Sequence, residues 1–159
     1  GTVIRTKLGA YHLTYAAKAQ GAVFGGEESG AYIIPKFQKS YDGIATAAKI
    51  VENMCKNHMK LSEMVMGVPV FAKAQESVAC PWKFRGTIMR TLVEESRGHQ
   101  IDMLEGLKIF HDSNWVAIIP VSEEPVMKLY AEAGTGEEAK TLTTTYSSRV
   151  KELIEFSKP

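Results

Sequence analysis

Apolar residues recur along the 159-residue chain with two periods, near 3.6 and near 2, and each change of period marks an element. Thr2 to Thr6 is short and β-branched, which predicts a strand. Leu8-Gly9 leads into a stretch whose Leu13, Ala16, Ala17 and Gln20 share one helical face, closed at Gly21. Ala22 to Phe24 and Ala31 to Ile34 predict strands, and Gly25-Gly26-Glu27-Glu28-Ser29-Gly30 predicts an irregular loop between them. Asp42 caps a further helix, with Ile44, Ala47, Ala48, Val51, Met54 and Cys55 expected inward. From Lys56 to Gln75 the pattern loosens, with a short turn at Leu61 to Met66, so a boundary between two units belongs there.

The second unit reopens with an expected strand at Ser77 to Cys80. A helix follows from about Phe84 to Ser96, with Ile88, Met89, Leu92 and Val93 on one face and Gly98 closing it. Leu107 to His111 and Trp115 to Ile119 flank Asp112-Ser113-Asn114 and predict an antiparallel hairpin. Val126 to Ala133 alternates as a third strand. Thr135 to Glu138 has the form of a capping box, opening a helix to about Phe156 with Ala139, Leu142, Tyr146, Val150, Leu153 and Ile154 buried. The fold class expected is α/β plus α+β: a partial mixed α/β domain, then a small antiparallel sheet backed by helices. The divisions are 1–59 for the first domain, 60–74 for a linker and 75–159 for the second.

Composition narrows the function. With 45% hydrophobic residues and a net charge of +1, the chain has material for a core and nothing that draws it to nucleic acid or anionic lipid. No run approaches the roughly 18 apolar residues of a membrane span, so a cytoplasmic location is expected. Cys55 and Cys80 lie far apart and outside any metal-ligand spacing, and both are expected as reduced, buried thiols. His12, His58, His99 and His111 are scattered without the spacing of a metal site.

The glycine-flanked loop carries the chemistry. Side chains two residues apart in an extended backbone project the same way, so Glu27 and Ser29 are expected to point together while Glu28 points away. A carboxylate that accepts and a hydroxyl that donates and accepts suit the neighbouring hydroxyls of a sugar ring. A glycine-rich acidic turn also serves as a plain solvated loop, and an acidic loop without Gly-Lys-Ser/Thr is no phosphate cradle.

The ordered motifs resemble the α-D-phosphohexomutases, the phosphoglucomutase/phosphomannomutase family. Arg5-Thr6-Lys7-Leu8-Gly9 is similar to that family's T-K-V-G turn, and Gly26-Glu27-Glu28-Ser29-Gly30 to its G-E-x-S-G-H loop. Tyr41-Asp42-Gly43-Ile44 resembles the D-G-I helix start. Glu105-Gly106-Leu107-Lys108, then Asn114-Trp115 and Glu124-Pro125-Val126-Met127-Lys128-Leu129-Tyr130-Ala131-Glu132-Ala133, resemble the family's fourth domain. The resemblance implies part of domain three followed by domain four of an enzyme that moves a phosphoryl group between the 1- and 6-positions of a hexose. Mg²⁺ and a hexose 1,6-bisphosphate intermediate are implied for the whole enzyme, with hexose phosphate as substrate and the N-terminal domains as partners.

Carried over by position, Glu27 and Ser29 would bind sugar hydroxyls and Lys7 would sit near the reacting phosphate. No Ser-His-Asn-Pro stretch and no D-x-D-x-D-R occurs, so no catalytic residue is assigned and this chain alone is expected to be inactive. Where the family carries R-P-S-G/N-T-E-P for phosphate, this sequence reads Ile119-Pro120-Val121-Ser122-Glu123-Glu124-Pro125, leaving Ser122 and backbone amides as donors unless Lys83, Arg85 or Lys128 folds in. The family's third domain begins upstream of Gly1, so an uncovered apolar face and a homodimer through it are expected. Three readings stay open: an enzyme fragment, a divergent sugar-phosphate binding or regulatory module, and a structural domain.

Overall fold

The computed structural model describes residues 1–158, in two compact units that divide between Pro69 and Val70. Pro159, the last residue of the expected second domain, lies outside the described residues.

In the first unit residues 2–7 form no strand, contrary to the sequence pattern. Extended chain is stabilised by its neighbours, and no strand pairs with this segment among the described residues. Helix α1 (Ala10–Ala19) follows Gly9 and buries Ala17. Strand β1 (Gly25–Gly26) pairs antiparallel with β2 (Tyr32–Ile33) in the register Gly25↔Ile33, so the ladder falls on the glycines and not on Ala22 to Phe24. Close approach selects them: a Cβ on Gly25 would lie 2.8 Å from Ile33 Cγ1, and one on Gly26 would lie 2.5 Å from Tyr32 Cδ1. Ile33 is thereby fully buried.

Helix α2 (Gly43–Asn57) is capped by Asp42, whose Oδ1 accepts from the Ala45 amide at 2.8 Å. Its expected inward face is bare: Ile44 is 86% exposed, Val51 is 56% exposed and none of its residues is buried. An amphipathic stripe is covered only where a second layer reaches it, and here that layer is a ladder of two-residue strands. Cys55 rides on the same face and is exposed, while Cys80 is buried as expected. Helix α3 (Leu61–Met66) occupies the stretch read as a turn.

The second unit is a five-stranded antiparallel sheet in the order β3-β7-β6-β5-β4, with helices α4 (Trp82–Glu95) and α5 (Gly136–Phe156). Strand β3 (Ala72–Ala79) begins five residues before the expected start, and the short edge strand β4 (Ile101–Asp102) has no counterpart in the sequence reading. Strands β5 (Leu107–His111) and β6 (Asn114–Pro120) form the expected hairpin, turning at Asp112 with φ 54°. Strand β7 (Val126–Ala133) alternates between partly exposed and buried residues over its whole length. Val78, Ile88, Leu92, Leu107, Ile118 and Leu129 are among the side chains packed in a single core. Thr135 and Glu138 close the capping box at the start of α5, at 3.1 and 3.2 Å. No helix among the described residues is long and apolar enough to cross a membrane.

Candidate functional site

The β1–β2 hairpin presents residues 27–31 as its loop. The Gly30 amide donates to the Glu27 carbonyl at 3.0 Å and the Glu27 amide to the Ala31 carbonyl at 3.0 Å, with Gly30 at φ 87°. The segment is therefore a tight turn and not the extended run that the sequence suggested. The turn nonetheless brings the expected pair together, because Ser29 Oγ donates to Glu27 Oε1 at 3.0 Å. Ser29 and Glu28 are exposed, and Glu27 is half-buried.

Glu27 is the hub of this cluster. Its Oε1 also accepts from the Tyr41 hydroxyl at 2.7 Å, and its Oε2 from the Gly9 amide at 3.3 Å. One carboxylate thus ties the hairpin loop to the turn before α1 and to the residue before the Asp42 cap. The Tyr41 bond holds the Glu27 carboxyl below its ordinary range; burial, the next influence in size, opposes it, and the weaker bonds from Gly9 and Ser29 add to the lowering. Tyr41 responds in the opposite sense: burial first, then the Glu27 carboxylate, push its phenol up to about 12. At neutral pH the cluster is a fixed anion held by neutral donors, with lone pairs left for further donors from a ligand.

Sequence reasoning missed Tyr41. It stood in the quoted motif as a neighbour of the helix cap, and no property of its position marked it as a carboxylate partner. Lys7 lies on the turn that Gly9 ends; it is exposed, and its carbonyl accepts from Thr6 Oγ1 at 2.9 Å. Among the described residues no hydrogen bond or ion pair joins its ammonium to Glu27. A groove of roughly 780 Å³ runs beside the hairpin, with Val3, Ile4, Leu13 and Phe24 in its walls; Glu27 and Glu28 border it but Ser29 and Lys7 do not. It is an apolar packing surface, and the polar cluster at its border is the better candidate for a sugar.

Ser122 belongs to the second unit, exposed on the loop that joins β6 to β7. Among the described residues no group of three or more His, Cys, Asp or Glu side chains could hold a metal ion. The resemblance implies Mg²⁺ for the whole enzyme, with ligands outside this chain, and no step through a metal is derived from the described residues.

Residues 1–70 match the model of phosphoglucomutase/phosphomannomutase, alpha/beta/alpha domain III. A probable phosphoglucosamine mutase of Methanopyrus kandleri is 31% identical over 98% of this chain and 35% of its own length. One from Pyrococcus furiosus is 33% identical over 99% of this chain and 36% of its own, so the chain spans about a third of the length of these relatives. A crystal structure of a phosphoglucomutase/phosphomannomutase family protein from Burkholderia thailandensis superposes with a TM-score of 0.77 over 97% of this chain and 33% of that one, at 16% identity. That likeness shows the fold, a mixed α/β arrangement followed by a helix-backed antiparallel sheet. The sequence matches go further: the chain belongs to the phosphoglucomutase/phosphomannomutase family.

Proposed function

We propose that this chain supplies substrate recognition to an enzyme interconverting hexose 1-phosphate and hexose 6-phosphate. The carrying observation is the Glu27 carboxylate, fixed by Tyr41 at 2.7 Å and Ser29 at 3.0 Å on an open, glycine-flanked turn. Such an acceptor pair, held before the ligand arrives, orients a hexose by its hydroxyls at little cost in ordering. Orientation is what a 1,6-transfer needs, because the sugar presents first one phosphate and then the other to the same reacting group. Lys7 supports a phosphate near the sugar loop, and Ser122 a phosphate at the β6–β7 loop.

The relatives named phosphoglucosamine mutases favour an amino sugar phosphate. Chemistry agrees, since Glu27 and the exposed Glu28 attract an ammonium at the sugar's 2-position. In the whole enzyme we place the phosphoserine and the Mg²⁺ site on the N-terminal domains, with hexose 1,6-bisphosphate as intermediate and the cytoplasm as the compartment. The 159-residue chain is then a substrate holder without turnover of its own.

The test is a mutase assay of the whole enzyme with glucosamine, glucose and mannose phosphates, before and after Glu27→Gln. Removing the charge from a hydrogen-bonded acceptor costs about 1.5–3 kcal/mol, so kcat/KM should fall by roughly 10- to 100-fold. An unchanged kcat/KM for every sugar would refute the assignment. A second reading, a sugar-phosphate binding module without catalysis, is favoured by Ile119 and Val121 standing where the family's loop has arginine and serine. Tight binding of sugar phosphate by a whole enzyme with no turnover would select it.

A further inference from the structure

The loop after β6 lacks the family's arginine, yet an arginine reaches it from elsewhere. Arg85, in the first turn of α4, donates from Nη1 to the Val121 carbonyl at 2.5 Å and from Nη2 to the carbonyls of Glu124 and, at 3.1 Å, Val126. Its guanidinium carbon lies 4.0 Å from the centroid of the Trp82 ring, and its Nε is buried without a partner. Further bonds close the loop, from the Val121 amide to the Val126 carbonyl at 3.1 Å and from the Val126 amide to the Glu124 carbonyl at 2.8 Å. The Cys80 amide, just beyond β3, binds the Pro125 carbonyl at 2.7 Å.

The direction of one peptide unit follows from this clamp. In a trans peptide the C=O of one residue and the N–H of the next point to opposite sides. With the Val121 carbonyl turned onto Arg85, the Ser122 amide is aimed away from the guanidinium. The amides of Ser122, Glu123 and Glu124 bind no described residue. Consecutive amides unspent on their own chain are free to donate to an anion, as in the turns that bind phosphate, and Ser122 adds a hydroxyl.

We propose that Arg85 is the positioning residue of this loop, drawing its carbonyls inward so that the Ser122 amide and hydroxyl receive the phosphate monoester of the substrate. The inference rests on the reading above in which this loop takes a phosphate. Arg85 spends three of its four Nη hydrogens on loop carbonyls, so it acts through the loop and not on the ligand. The exposed acids Glu123 and Glu124 oppose an anion here, and Glu123→Gln should tighten binding by about twofold, the size of a screened surface charge effect.

The experiment is a ¹H–¹⁵N titration of the 159-residue chain with inorganic phosphate and, separately, with glucosamine. Phosphate is expected to move the Ser122 amide, and glucosamine the amides of residues 27–30. Arg85→Gln should weaken the phosphate response by about tenfold and leave the glucosamine response unchanged. Arg85→Lys should recover part of that loss by restoring the charge and one donor, and a native spectrum in this variant separates positioning from folding. Phosphate affinity within twofold of wild type in Arg85→Gln would overturn the proposal, as would Arg85→Lys no better than Arg85→Gln. A wild-type Ser122 amide indifferent to phosphate would instead remove the underlying reading of the loop, and with it the proposal.

Discussion

Replacing Tyr41 by Phe removes one hydroxyl from the Glu27 cluster and leaves the ring in place. The lost bond, 2.7 Å from phenol to carboxylate, is charge-assisted. A bond of this kind is worth about 1.5–3 kcal/mol when shielded, and the open loop screens it to about 0.5–1 kcal/mol. Two effects follow. Glu27 loses the largest influence holding its carboxyl down, so its folded-state value rises toward the ordinary 4.5. The stability that a depressed carboxylate contributes is fully present above its unfolded value and is lost as pH falls through the folded value. Without Tyr41 less of it remains, and its loss on acidification, which still begins at the unfolded value, is complete at higher pH. At neutral pH Glu27 stays charged either way, so weaker sugar binding reflects a carboxylate freer to turn, roughly two- to fivefold in Kd. A ¹³C titration of the glutamate carboxyls reads the first effect, and a hexose phosphate titration of the chain at pH 7 reads the second. A Glu27 midpoint that stays put or falls in Tyr41→Phe would refute the reasoning.

Other outcomes follow from the second unit. Gly106→Ala places a Cβ 2.3 Å from the Ile118 carbonyl oxygen at a residue with φ 70°, so urea unfolding should show a loss of about 2–4 kcal/mol. Leu129→Ala, in the middle of β7 with no exposed surface, should cost about 2–5 kcal/mol in the same measurement. Thr135→Ala removes the hydroxyl that accepts the Glu138 amide and should cost about 1 kcal/mol, seen as a lower Tm. For the first unit, the uncovered apolar residues Ile44, Val51 and Val23 predict self-association, so sedimentation should show mass rising with concentration and Val51→Lys should reduce it.

The sequence pattern was most readable where side chains pack locally. The β5–β6 hairpin announced itself through a polar turn between two apolar runs, β7 through its alternation, and α5 through the Thr135 cap. The start of β3 was hidden because Lys73, Gln75 and Glu76 read as a polar connection. They become strand by pairing with Glu132, Tyr130 and Leu129 of β7, a partner that local pattern does not contain. Thr143 and Ser147 escaped notice because apolar periodicity overlooks hydroxyls that satisfy themselves. Thr143 bonds the Lys140 carbonyl at 2.9 Å, and Ser147 reaches Glu76 at 2.7 Å. At the sugar loop the pairing of Glu27 with Ser29 was legible by an incorrect geometry. The glycines made a turn where an extended segment was expected, and Tyr41, distant in sequence, supplied the remaining constraint.

The sheet order also sets a timetable. Strand β3 forms its ladder with β7, from Ala72↔Ala133 to Ala79↔Val126, so it waits through the synthesis of α4 and three intervening strands before a partner exists. Pairings of such wide separation are slow to form. As this unit emerges from the ribosome, β5 and β6 can zip up early, while β3 remains an unpaired edge until β7 arrives and α5 settles over both. A product broken off before Val126 would keep that edge open, and would meet chaperones or its own copies before any native neighbour.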